Sequence, residues 1–164
     1  IPTAARMNRL GLTAAIGIAG AAAVAVWAGG KEDSPPALAV LGVPVDAEMI
    51  EIGAGLYAEN CASCHGADLE GQPDWRRRLD NGRMPAPPHD ETGHTWHHAD
   101  QQLFDITKNG LASVVPGYQS DMPVFDGILT DAEITAILGY IKSTWPERER
   151  DYQAEITSKN EEGS

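Results

Sequence analysis

Cysteine is nearly missing from this 164-residue chain, which has only Cys61 and Cys64. That scarcity excludes a four-thiolate zinc centre and a disulfide-built scaffold. Lysine is scarce too, with four in all, and Asp and Glu outnumber Lys and Arg 24 to 12, a formal net charge of −12. Binding to a phosphate backbone rests on positive charge, so nucleic acid is excluded as a partner. Aromatic residues make up 6% of the chain, and a core of roughly 100 residues so poor in large side chains is marginal without added interior. Strand-like alternation and internal repeats are missing as well, which leaves an all-α fold.

The helical signals are local and specific. Asp46 can cap a helix whose apolar stripe is Met49, Ile50, Ile52 and Leu56. Asp100 can cap a shorter one carrying Leu103, Phe104 and Ile106, stopped by Asn109-Gly110. Thr130-Asp131-Ala132-Glu133 reads as a capping box, followed by Ile134, Ile137, Leu138 and Ile141 at helical spacing. Pro146 closes that run soon after Trp145.

The two cysteines stand in Cys61-Ala62-Ser63-Cys64-His65. C-x-x-C-H is the attachment sequence for a c-type haem: two thiols add across two vinyl groups, and the histidine is placed to reach the iron. A bare C-x-x-C also serves as a redox dithiol, half a zinc site or a small disulfide. The adjacent His65 favours haem over these. With His65 on the iron one axial position remains, and a thioether there raises the reduction potential. Met7 precedes an apolar segment, and Met49 is too near the attachment site to fold over the opposite face. Met122, in the turn-rich loop Ser120-Asp121-Met122-Pro123-Val124-Phe125, is the favoured ligand, with Met84 of Arg83-Met84-Pro85 as the alternative. For either, ordinary packing is the competing role.

From Asp46 to Trp145 the chain resembles the mono-haem class I cytochromes c. The resemblance rests on Gly53 and Tyr57 ahead of Cys61-Ala62-Ser63-Cys64-His65-Gly66, on Met122-Pro123-Val124-Phe125, and on Leu129 through Tyr140-Ile141. It implies one covalently attached haem c held by Cys61, Cys64, His65 and Met122. It also implies a close crossing of first and last helices through Gly53, Tyr57, Gly139 and Tyr140, and a proline carbonyl from Pro85, Pro87 or the neighbouring Ala86 and Pro88 bonded to His65. The porphyrin would complete the thin core.

Four of the five histidines, His89, His94, His97 and His98, crowd one segment with Trp96. Imidazoles so clustered suit copper or zinc, but no thiol remains and the spacing is not a helical pair. A polar loop on the haem edge, with Trp96 or a histidine on a propionate, is the favoured reading. Arg76-Arg77-Arg78 with Arg83 is the one basic concentration. It is either a solvated loop paired with propionates, Asp74 and Asp80, or a docking patch.

Residues 10–28 carry no charge, with Arg6 and Arg9 before them and Lys31-Glu32-Asp33 after. The length just spans a bilayer core, and the arginines predict a cytoplasmic amino end (1–9) and a periplasmic haem domain. Gly11, Gly17 and Gly20 make the segment weakly lipophilic but suited to helix packing. A cleaved signal peptide ending near Val26-Trp27-Ala28 is the rival reading. The linker 29–45 reaches at most about 60 Å, and its apolar second half can lie on the haem domain at 46–146. The polar tail 147–164 is expected to add a helical turn or two.

An iron closed on both faces passes electrons and takes no substrate. The expectation is therefore an electron-transfer protein, not an enzyme, tethered to the inner membrane. By resemblance its partners are membrane redox complexes: a bc1-type donor and a terminal oxidase or photosynthetic reaction centre. The alternatives are a redox subunit of a periplasmic dehydrogenase, or a haem sensor or peroxidase-like enzyme with a labile methionine.

Overall fold

The computed structural model describes residues 38–163. The expected anchor at 10–28, the segment before it and the first part of the linker lie outside the described residues. Among the described residues no helix is long and apolar enough to cross a membrane.

The chain enters as a hairpin of β1 (Ala39–Val40) and β2 (Val43–Pro44), antiparallel, with Ala39 opposite Pro44 and Val40 opposite Val43. Leu41 and Gly42 both take positive φ, 50° and 76°, as a two-residue hairpin turn of the primed type I kind requires. Leucine disfavours that region. It is held there by a hydrogen bond from its N–H to the Asp100 carboxylate, 3.0 Å. Two-residue strands are too short to show alternation, so the hairpin does not register in the pattern. Val40 is fully buried, so the second half of the linker does pack on the domain.

Five α-helices follow among the described residues: α1 (Ala47–Asn60), α2 (Ala62–His65), α3 (Asp100–Asn109), α4 (Asp131–Thr144) and α5 (Glu147–Glu162). Asp46 caps α1 as expected, its carboxylate accepting the Met49 N–H at 2.8 Å. The Thr130–Glu133 box caps α4 in both directions, with Glu133 N–H on the Thr130 hydroxyl at 3.3 Å and Thr130 N–H on the Glu133 carboxylate at 2.7 Å. On α4, Ile134, Ile137, Leu138 and Ile141 are buried. Each such side chain contributes roughly 1.5–3 kcal/mol by leaving water. Pro146 forces Trp145 into extended backbone and ends the helix.

Helices α1 and α4 cross through the residues the resemblance implied. At Gly53 a Cβ would run into the main-chain carbonyl of Ala136, so only glycine allows this approach. The Tyr57 and Tyr140 rings meet one turn further on, centroids 5.4 Å apart. One turn along the same face of α4, Gly139 meets Val45 and the Met49 sulfur at the start of α1.

Helix α3 departs from expectation at its start. Asp100 is not its cap; Ala99 is, without a side-chain bond. Asp100 is the first helical residue, and its N–H donates to the Thr157 hydroxyl of α5 at 3.1 Å. Its carboxylate, 3% exposed, instead anchors a buried polar node. Lys142 Nζ and Gln153 Nε2 both donate to Oδ1 at 2.7 Å, and Leu41 N–H donates to Oδ2. Lys142 also donates to the Ala39 carbonyl at 2.7 Å. One carboxylate thus joins the hairpin, α3, α4 and α5.

Helix α5 is the larger surprise. The tail forms sixteen residues of helix rather than a turn or two. Its inner face is polar, with Gln153 completely buried and Glu149 nearly so. Hydrogen bonds, not an apolar stripe, hold it in place, which is why periodicity does not reveal it.

Candidate functional site

The attachment motif lies where α1 gives way to α2. Cys61 ends α1, donating its N–H to Tyr57 O at 2.8 Å, and His65 N–H donates back to Cys61 O at 2.9 Å. This single helical turn brings Cys61 and Cys64 onto one face. Gly66 then turns the chain at φ 84°, and Tyr57 Oη donates to its carbonyl at 2.9 Å. Both cysteines are free thiols, Cys61 half-buried and Cys64 exposed. Burial, and then the neighbouring Cys64, pushes the Cys61 thiol up to about 11. A redox dithiol needs the opposite, a stabilised thiolate at neutral pH.

His65 is 8% exposed. Its Nδ1–H donates to the carbonyl of Pro87 at 2.8 Å, which settles which carbonyl of the Pro85–Pro88 segment takes that part. With Nδ1 carrying the proton, Nε2 keeps its lone pair, and burial lowers the pKa so that the ring stays neutral. Ala86 is held beside it by reciprocal bonds with Gln72, 2.9 Å each.

Met122 packs half-buried against the hydrophobic cluster that also takes in Cys61 and Ala62. Its loop is anchored at both sides. Met122 N–H donates to the Ser120 hydroxyl at 3.0 Å, while Phe125 and Asp126 N–H reach the carbonyls of Thr107 and Lys108 at the end of α3. Met84 is half-buried beside Arg83. An ion pair between Arg83 and Asp121 ties these two methionine segments together.

The arginines do not pair with Asp74 or Asp80 as one expectation had it. Arg83 pairs with Asp121, Arg78 donates to Gly82 O, and Arg76 donates to Thr92 O with its guanidinium 4.1 Å over Trp75. Trp75 in turn stacks on His94, centroids 5.2 Å apart and planes 4° from parallel.

The histidines scatter rather than converge. His89 stacks on His65, His94 lies between Trp75 and His98, and His97 meets Trp96 and Tyr152. Among the described residues no three side chains of His, Cys, Asp or Glu are placed to share a metal ion. Trp96 Nε1 donates to Glu91 O at 3.3 Å, so its donor is already engaged. His94 Nδ1 is buried without a hydrogen-bond partner. Trp145, whose indole donates to His89 O at 2.7 Å, carries a positioning role that the sequence reading assigned to no residue.

The family model for cytochrome c matches residues 50–145. The chain belongs to the cytochrome c family. Membership brings covalently bound haem c, and Cys61 and Cys64 are placed as the attachment pair. No curated relative and no solved structure matches the chain significantly. The residues present fit haem c: two free thiols on one helical face, and a buried neutral imidazole with its outer nitrogen unprotonated. The matched span ends at Trp145, so α5 is an addition beyond the cytochrome c match.

Proposed function

We propose that this cytochrome c is a one-electron carrier whose iron is held by His65 and Met122, with no position open to substrate. The observation that carries the reading is the Nδ1–H bond from His65 to Pro87 O, which fixes the tautomer and leaves Nε2 free. Bound haem c supplies a metal that alternates between ferrous and ferric states. Cys61 and Cys64 hold it covalently, Pro87 raises the basicity of His65, and the Phe125 and Asp126 main-chain bonds hold the Met122 loop in register. Met122 is preferred over Met84 because it packs on the same apolar cluster as Cys61.

The carrier is tethered to the inner membrane by residues 10–28, with the haem domain in the periplasm; the uncharged length and flanking arginines support this. It takes electrons from a quinol-oxidising complex of bc1 type and delivers them to a terminal oxidase or reaction centre. The short reach of its linker confines it near its point of insertion.

Optical spectroscopy of the ferric protein tests the ligand set. The weak red-end band of sulfur-ligated ferric haem is expected in the wild type and is lost in Met122→Ala. Immediate cyanide binding by the wild type would refute the closed iron, and loss of the band in Met84→Ala instead would move the assignment to Met84. Retention in membranes after carbonate washing tests the tether, since release would favour a cleaved signal.

A further inference from the structure

We propose that His89 is a positioning residue for His65: lying flat against the ligand's ring, it fixes the plane of that imidazole. The inference rests on the assignment of His65 to the iron made above.

The two rings are 4.0 Å apart between centroids and 20° from parallel. The Pro87 bond fixes where His65 Nδ1 points, but a hydrogen bond tolerates considerable bending before it weakens. A flat ring in van der Waals contact resists twisting much more stiffly. The two contacts therefore divide the work, Pro87 setting the tautomer and His89 the plane.

His89 is itself held at its ring Nδ1 and at both main-chain groups. Thr95 has a single hydroxyl proton, which goes to Pro88 O at 3.3 Å, so the Thr95 oxygen accepts Nδ1–H of His89 at 2.8 Å. The His89 main-chain N–H donates to Leu69 O at 2.7 Å, and its carbonyl accepts the Trp145 indole at 2.7 Å. Tyr57 closes the remaining side edge-on, 6.3 Å away at 73°. The loop that carries these groups is drawn tight at Gly93, where a Cβ would collide with the Pro88 carbonyl. A leucine at 89 would fill the same space. It would offer neither a flat face nor a bond to Thr95.

The plane of an axial imidazole decides how unpaired spin spreads over the porphyrin, so haem-methyl proton shifts of the ferric protein read it directly. The test uses the full-length holoprotein and compares His89→Leu, His89→Phe and Thr95→Val by proton NMR, electron paramagnetic resonance and reductive titration, with circular dichroism as the check on folding. His89→Leu and Thr95→Val are expected to change the spread and order of the methyl shifts and to move the midpoint potential. His89→Phe, which restores a flat ring but not the Thr95 bond, returns the pattern toward wild type only as far as Thr95→Val does. If His89→Leu fails to fold, Thr95→Val carries the same expectation, because it keeps the imidazole and removes its latch together with the Thr95 bond to Pro88 O. A wild-type methyl pattern in the folded His89→Leu or Thr95→Val protein, or an equal change in the Leu and Phe variants, overturns the inference. A wild-type protein whose iron is not histidine-ligated would overturn the underlying ligand assignment as well.

Discussion

Replacing Lys142 by methionine is the sharpest test of the buried node. The Lys142 and Asp100 side chains are 6% and 4% exposed, joined at 2.7 Å. Burial pulls the lysine pKa down, opposed by Asp100, so the ammonium is held in the interior by its partner. Methionine matches the length but leaves Asp100 with only Gln153 and the Leu41 N–H, and leaves Ala39 O without its donor. Stranding one charge of a buried pair costs about 3–5 kcal/mol, a large share of the 5–15 kcal/mol typical of whole domains. The midpoint of thermal unfolding should fall by roughly 10–20 °C. Denaturant titration followed by far-ultraviolet circular dichroism measures the free-energy loss, and a temperature scan the shift in midpoint. The double variant Lys142→Met/Asp100→Asn should recover part of the loss, because the stranded charge is then gone. A loss below about 1 kcal/mol in the single variant, or no recovery in the double, would show that Asp100 reaches water and that the node does not hold the four elements together.

Gly53→Ala sets a methyl against the Ala136 carbonyl, and forcing the helices apart should cost about 1–3 kcal/mol in denaturant unfolding. Trp145→Phe removes the donor to His89 O while keeping the bulk; it should destabilise by about 1–2 kcal/mol and shift the midpoint potential more than a distant core change of equal cost. Acid should weaken the fold in a defined direction. Burial first, then neighbouring imidazoles, holds His89 and His94 below their ordinary pKa, and burial does the same for His98. The unfolded chain therefore binds more protons, so stability is full above about pH 6.5 and is lost progressively as pH falls below it. Unfolding midpoints that stay constant between neutral and mildly acidic pH would contradict those burial assignments.

What could be read in advance follows from where each signal is written. The cap of α1 and the box of α4 are contained in four consecutive residues each, so Asp46 and Thr130–Glu133 are legible without any tertiary knowledge. The attachment motif is equally local. Asp100 misleads because a capping aspartate and a buried partner for a lysine 42 positions away look alike in sequence. The choice of Pro87 needs the fold, since a run of adjacent carbonyls offers several candidates. Helix α5 is invisible to periodicity because Gln153, Glu149 and Thr157, not hydrophobic residues, form its inner side. The stack of His89 on His65 joins positions 24 apart through a loop with no pattern of its own.

The bond from the Trp145 indole to the His89 carbonyl bears on how such a chain is made. A polypeptide emerging amino end first presents both thiols long before Trp145 arrives. Until then the loop that carries His89 lacks this fastening. The residue just past α4 is thus needed to complete a loop that lies 56 positions back along the chain: the fastening at His89 closes only when the far end of the domain is in place.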